Sequence, residues 1–267
     1  MNNQYDILII DDEKVIIDSI QKITGFSDFT SDTAFDALTA IQKILENNYR
    51  LIICDIMMPG MDGFQFLKET FRLGITAPVI MTTGYSTLDN AVKALIEGAF
   101  AYIPKPFSID EMTSAIKRGI KFSGIQNKLR VETGEVDSTI HFVPCPATYC
   151  RLGYSSWVFL DKEGMAVLGV HDFFIRTIDI PDQIEFMEIG DNIEQGNICA
   201  KIISVDSSVH NLLSPVSGKI IERNEKLLKD ISLLEKDPYF EGWIYRVVPT
   251  NSTHEIKNLI PCSSDRL

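Results

Sequence analysis

Long hydrophobic runs are absent from this 267-residue sequence. Its apolar stretches, such as DILII and LIIC, are far shorter than the roughly 20 residues a membrane-spanning helix needs. The opening MNNQYDILII is likewise too short, and too closely followed by acid, to read as a secretory leader, so the expected location is the cytoplasm. Basic charge is scarce: 25 Lys and Arg stand against 37 Asp and Glu, a formal net charge of −12. The deficit is spread, with 11 basic against 16 acidic residues up to Gly124 and 14 against 21 after it. Neither half has the basic excess that binding a phosphate backbone requires, so neither nucleic acid nor an acidic membrane surface is an expected partner. Cysteine is sparse and odd in number, at 54, 145, 150, 199 and 262, so no disulfide framework is expected and a reducing compartment suits the chain.

What is present divides in two, as the length leads one to expect. From Tyr5 to about Lys121 short apolar runs (DILII, LIICD, APVIMTT, AFAYIPK) alternate with segments of helical apolar spacing at Val15–Ile23, Asp36–Leu45, Gly63–Leu73, Thr87–Ile96 and Ile109–Ile120. A weaker strand near Phe29–Ala34 completes the period. This alternation predicts βαβ units: an α/β, doubly wound, five-stranded parallel sheet with helices on both faces. The polar stretch SGIQNKLRVETGEVDST is the linker candidate, the last helix running into it. Beyond it SSWVFLD, GMAVLGV, KIISVD, GKIIERN and GWIYRVV read as antiparallel strands of a mostly-β domain, with a helical segment around Asn224–Leu234. The expected division is 1–122, a linker over 123–150, a β domain over 151–250 and a tail over 251–267.

In a parallel sheet, functional groups collect at the carboxyl ends of the strands. Asp11 and Asp12 follow DILII, Asp55 ends LIIC, Thr83 ends PVIMT and Lys105 follows AYIP. Carboxylates gathered there repel one another, and a hard cation such as Mg²⁺ is their natural neutraliser. An aspartate beside such a cation can act as a nucleophile on phosphorus, which makes Asp55 the candidate acceptor. For Asp12 the competing reading is a helix N-cap.

IIDDE, CDIMMPGMDGF, MTTGYS and GAFAYIPKPF resemble, closely and in order, the receiver domain of two-component response regulators, a flavodoxin-like fold. The resemblance implies that Asp55 is the phosphoacceptor and that Asp11, Asp12, Asp55 and the backbone carbonyl of Met57 hold Mg²⁺. Thr83 and Lys105 would contact the phosphoryl group, with Thr83 and Tyr102 as switch residues. Met57 and Tyr85 would flank the acceptor and influence the lifetime of its phosphate, and Lys105–Pro106 falls where this family usually has a cis bond. A buried strand is the other reading of AFAYI, and leaves Tyr102 as core.

From about Tyr154 to Pro249 the features SSWVFLD, MAVLGVHDF, IGDNIEQG, SPVSGKIIERNEKLL and DPYFEGWIYRVVP resemble the glycine-cleavage H-protein, a barrel-sandwich hybrid related to lipoyl carriers. The lipoyl-lysine position falls on Asp206 or Ser207, and the nearest lysines, Lys201 and Lys219, are not at the hairpin tip. No lipoate is therefore expected. His210 reads as a solvated loop residue, with metal binding or catalysis as the alternative. His141, Cys145 and Cys150, with His171 as a fourth, could supply zinc ligands, although the Cys-x4-Cys spacing is wide and packing is the default reading. Trp157 and Trp243 read as core.

Together these features predict a non-enzymatic response regulator whose acidic receiver is phosphorylated by a sensor histidine kinase. Its H-like domain would act by binding a protein not named by the sequence, and a phosphorylation-dependent homodimer is a further expectation. The alternatives are a regulated carrier or docking component of glycine-cleavage or lipoate metabolism, and a phosphate sink.

Overall fold

The computed structural model describes residues 5–85, 87–131 and 142–264. The chain divides into two compact units, Met1–Leu129 and Arg130–Leu267.

The first unit runs β1 (Ile7–Ile10), α1 (Lys14–Phe26), β2 (Ser31–Ala34), α2 (Ala37–Glu46), β3 (Leu51–Asp55), α3 (Gly63–Arg72), β4 (Val79–Thr83), α4 (Leu88–Ile96), β5 (Ala101–Pro104) and α5 (Ile109–Val131). The strands form one parallel sheet in the order β2-β1-β3-β4-β5. Every residue of β1, β3 and β4 is buried, because helices cover both faces of a parallel sheet. Each buried aliphatic side chain there contributes about 1.5–3 kcal/mol of burial energy. One core cluster gathers Leu8, Ile52, Cys54, Phe66, Leu67 and Met81. The edge strand β2, SDTA, is only partly buried, which explains its faint sequence pattern.

Helix starts are fixed by polar side chains. Asp36 accepts from the Thr39 N–H, Thr87 from that of Asn90, and Asp62 forms a reciprocal capping box with Gln65. α1 is entered at Glu13 without a side-chain cap, so Asp12 is not spent as one. The polar segment expected as a linker begins inside α5, which continues past residue 122 to Val131. Residues 132–141 lie outside the described part.

The second unit contains β6 (Cys150–Leu152), β7 (Ser156–Leu160), β8 (Ala166–Val170), α6 (Asp172–Thr177), β9 (Pro181–Phe186), β10 (Asn192–Ile193), β11 (Ile198–Ser204), β12 (Val209–Leu213), β13 (Gly218–Arg223), α7 (Leu233–Lys236), β14 (Trp243–Pro249), α8 (Ser252–Asn258) and β15 (Ile260–Pro261). A seven-stranded sheet has the order β10-β13-β14-β8-β7-β6-β15, and a three-stranded sheet the order β12-β11-β9. Their pairings are antiparallel, giving the mostly-β sandwich that the strand spacing predicts.

Three expectations change here. The helix expected over Asn224–Leu234 is a 3-10 turn at Glu225–Leu228 followed by α7, because the Asp230 carboxylate takes the Ser232 N–H and interrupts the ladder. Residues 251–264 are not a tail: α8 and β15 belong to the fold, and β15 pairs with β6. The cysteines form no framework, but the reading of all five as thiols changes for one pair: Cys145 and Cys262 are joined across a sequence separation of 117, with Cα atoms 5.7 Å apart. Cys54, Cys150 and Cys199 remain thiols.

Candidate functional site

The carboxyl ends of β1, β3, β4 and β5 bring the predicted residues of the first unit together. Asp11, Asp55 and Thr83 are almost wholly buried. Lys105 Nζ lies 2.7 Å from Asp11 Oδ2, 2.7 Å from Asp55 Oδ1 and 3.8 Å from Glu13 Oε1. The Lys105 amide also donates to the Thr83 carbonyl at 2.7 Å, so backbone and side chain both tie it to the strand ends. Its peptide to Pro106 is cis.

The other groups are oriented by short local bonds. Met57 N–H donates to Asp55 Oδ2 at 2.6 Å, and Glu13 N–H donates to Asp11 Oδ1 at 3.0 Å. Tyr85 N–H donates to Thr83 Oγ1 at 3.1 Å, which leaves the threonine's own proton available to another acceptor. Burial raises the Asp11 carboxyl above its usual range, against the lowering effect of Lys105. Burial also pulls the Lys105 ammonium down, but its bonds to Asp11 and Asp55 outweigh that and hold it above its usual value.

Among the described residues no group of three or more His, Cys, Asp or Glu side chains is placed to hold a metal ion. Asp11 and Asp55 face one another across Lys105, and Asp12 is exposed. Mg²⁺ ordinarily takes one or two carboxylates and keeps several waters, so a donor set of two buried carboxylates and a backbone carbonyl is chemically suited to it. Met57 and Tyr85 are exposed beside the site. Tyr102 is half buried against the core cluster, and its hydroxyl is buried without a hydrogen-bond partner among the described residues.

Two contributors lay outside the sequence expectations. Glu13 lies near Lys105, a contact the run IIDDE contained but did not distinguish from a helix start. At Gly63 a Cβ would stand 2.4 Å from the Asp55 carbonyl oxygen, so only glycine lets α3 begin against the end of β3. That glycine is in the quoted CDIMMPGMDGF.

Residues 7–117 match the family described as the response regulator receiver domain. The first unit carries a receiver domain. Residues 150–264 match the glycine cleavage H-protein family, which identifies the second domain. The receiver-bearing chain is 29% identical over 157 residues to the transcriptional regulatory protein DltR of Streptococcus agalactiae, covering 58% of this chain and 70% of DltR. It is 34% identical over 112 residues to the DNA-binding transcriptional regulator NtrC of Escherichia coli, covering 42% of this chain but 24% of NtrC. Similar solved structures include the receiver domain of the Francisella response regulator 1452 (33% identity, 44% of this chain and 98% of that one, TM-score 0.42). Another is a glycine cleavage system H protein from Mycobacterium marinum (23% identity, 45% of this chain and 94% of that one, TM-score 0.40).

In the H-protein domain, Asp206 and Ser207 stand in the turn between β11 and β12. The turn is closed on itself: Ser208 N–H and Oγ–H donate to the Asp206 carboxylate at 3.0 and 2.7 Å, Ser207 N–H donates to the Ser204 carbonyl at 2.8 Å, and Ser207 has φ of 65°. Lys201 is on β11, 3.6 Å from Glu185, and Lys219 is on β13. Neither is at the tip.

His210 is not a solvated loop residue. It lies on β12, where alternation along VHNLL turns it inward, and it is 5% exposed with Nε2 3.0 Å from Ser204 Oγ. The zinc set is also corrected: Cys145 is bonded to Cys262, and the His171 Nδ1 accepts the Phe173 N–H as the cap of α6. Cys150 remains a half-buried thiol and His141 lies outside the described residues. Trp157 is fully buried, and Trp243 packs at the edge of the same aromatic cluster. No described helix is long and apolar enough to cross a membrane.

Proposed function

We propose that this chain is a two-component response regulator of the cytoplasm, phosphorylated on Asp55 by a sensor histidine kinase. Its H-protein domain, without lipoate, serves as a protein-binding output. The reading is carried by one observation: Lys105 held 2.7 Å from both Asp11 and Asp55, with the other oxygen of Asp55 fixed by the Met57 amide.

Asp55 supplies the nucleophilic carboxylate oxygen. Bound by Asp11, Asp12, Asp55 and the Met57 carbonyl, Mg²⁺ would supply charge neutralisation for the incoming phosphate. Lys105 offers its ammonium and Thr83 its hydroxyl proton to phosphoryl oxygens, and the Met57 amide donates in the same place. The transfer is then a matter of position and electrostatics. The added charge biases the receiver between two conformations through contacts that differ between them, Thr83 and Tyr102 being the residues that report occupancy. The closed, lysine-free turn at Asp206–Ser208 supports a domain used for its surface instead of a swinging arm. We take 1–122 as the receiver segment and 150–264 as the output segment.

The test is intact mass after treatment with acetyl phosphate and Mg²⁺, followed by a pull-down with and without beryllofluoride. One phosphoryl increment in wild type, none in Asp55→Asn, and partners or dimers gained only by mimic-treated wild type are the expected results. A lipoyl increment on protein from its own cells would move the chain to a metabolic carrier role. Rapid loss of phosphate with no partner in any sample would make it a phosphate sink.

A further inference from the structure

The H-protein domain is held shut at one edge of its larger sheet. Its lead-in, residues 142–149, forms no strand; it runs along the domain through individual contacts. The Phe142 ring lies 4.7 Å from that of Phe173, and Val143 N–H donates to Asp172 Oδ2 at 3.3 Å. The Tyr149 ring packs 5.0 Å from Trp157 and 4.9 Å from Phe159. The opposite end of the domain arrives alongside: β15 is two residues long, pairs Ile260 with Arg151 and Pro261 with Cys150, and Cys262 N–H donates to the Tyr149 carbonyl at 2.9 Å. Cys145 and Cys262 close this edge covalently, above a cluster that also contains Tyr149, Trp157 and Tyr239.

We propose that Cys145 and Cys262 form a reversible thiol–disulfide site that clamps the lead-in of the H-protein domain to the turn directly after its last strand. Selectivity comes from the fold. Cys54 and Cys199 are buried elsewhere and Cys150 has no bonded partner, so oxidation has one pair of sulfurs already juxtaposed. Both clamp residues are almost fully buried, at 8% and 4% exposure, which shields the bond while the edge is closed. A two-residue strand and a lead-in without a ladder are the parts of the domain with least to lose on local opening, and that opening admits a reactant.

Closing the clamp converts two thiols to one disulfide. Two S–H bonds are lost, the S–S bond forms, and the two electrons and two protons pass to a small-molecule disulfide, which leaves as two thiols. A dithiol reverses the exchange with the same balance. Reduction therefore frees residues 142–149 and 259–264, and oxidation locks them.

The experiment uses the full chain equilibrated with oxidised glutathione or with dithiothreitol, then alkylated under denaturing conditions and read by peptide mass spectrometry. Hydrogen exchange is followed on parallel samples. Expected in the oxidised sample are a Cys145–Cys262 linked peptide and alkylation confined to Cys54, Cys150 and Cys199. In the reduced sample all five cysteines alkylate, and exchange at 142–149 and 259–264 accelerates by roughly tenfold or more while residues 7–117 are unchanged. Re-oxidation restores the slow pattern. Cys145→Ser should exchange at the reduced rate in both buffers, and the wild-type comparison stands without that variant should it fold poorly. A link made through Cys150, no linked peptide in the oxidising buffer, or identical exchange in the two wild-type samples would each overturn the proposal.

Discussion

Lys105 Nζ and Asp55 Oδ1 lie 2.7 Å apart, reaching across the end of β4 from β5 to β3, and the lysine side chain is 11% exposed. The same ammonium compensates Asp11, so its removal leaves two buried carboxylates facing each other. Lys105→Ala is expected to destabilise the receiver by about 3–5 kcal/mol at neutral pH. It should also abolish the response to beryllofluoride. Urea unfolding of the full chain, with and without the mimic, measures both; an unchanged midpoint would mean that water already screens the pair.

Asp172 gives the H-protein domain a pH dependence of definite sign. Burial is the main cause that pushes its carboxyl up to about 6, against the lowering effect of Arg176, whose Nε lies 3.3 Å away. A folded-state value above the unfolded 3.8 means that the folded form holds the proton more tightly. Its contribution is therefore favourable below about pH 4 and is lost as pH rises through about 6. The swing is on the order of 3 kcal/mol. Asp172→Asn should flatten that part of the stability profile between pH 4 and 7, measured by thermal melts in one buffer series. A variant whose profile parallels wild type would remove the assignment.

Tyr102 carries a buried hydroxyl with no partner among the described residues. Leaving such a group dry costs about 1–3 kcal/mol, so Tyr102→Phe should raise receiver stability by about 1 kcal/mol. Should the variant instead lose stability, the hydroxyl makes a bond in solution. Its phosphorylation rate separates the two roles given to Tyr102: a purely packed ring leaves the rate unchanged.

Gly169 lies under Trp157. A Cβ at 169 would stand 2.5 Å from Cζ2 and 2.9 Å from Nε1 of that indole, which is fully buried and donates to the Pro238 carbonyl at 3.2 Å. A flat, bonded ring has nowhere to go, so Gly169→Ala is expected to cost about 1–3 kcal/mol through overpacking. The indole, pushed from its dry site toward water, should also redden in emission. Denaturant midpoints and tryptophan fluorescence report the two effects together.

The receiver was legible because its signals are local and repeated. Apolar runs mark β1, β3 and β4, and the polar groups that follow them fall at one end of a parallel sheet by topology alone. β2 was legible only from the period, since its SDTA is an edge strand with little to bury. In the second domain, signals depending on distant partners were not readable. His210 looked like a loop residue until β11 and β12 were seen to reach the tip and turn it inward. An odd cysteine count says nothing about which two meet, and no spacing rule joins residues separated by 117 positions. α6 is only the six residues DFFIRT, too short for its period to be told from a strand, and its cap is a histidine rather than a usual capping residue.

The pairing of β6 with β15 puts the beginning and the finish of the H-protein domain at one edge, with Cys145 and Cys262 5.7 Å apart at the Cα atoms. Such a module can be spliced into a surface loop of another protein without prying that loop open. It can equally be re-cut at one of its own turns, with its old ends joined by a short bridge, and keep every strand neighbour. The geometry that lets a disulfide close the ring is also what makes the domain portable.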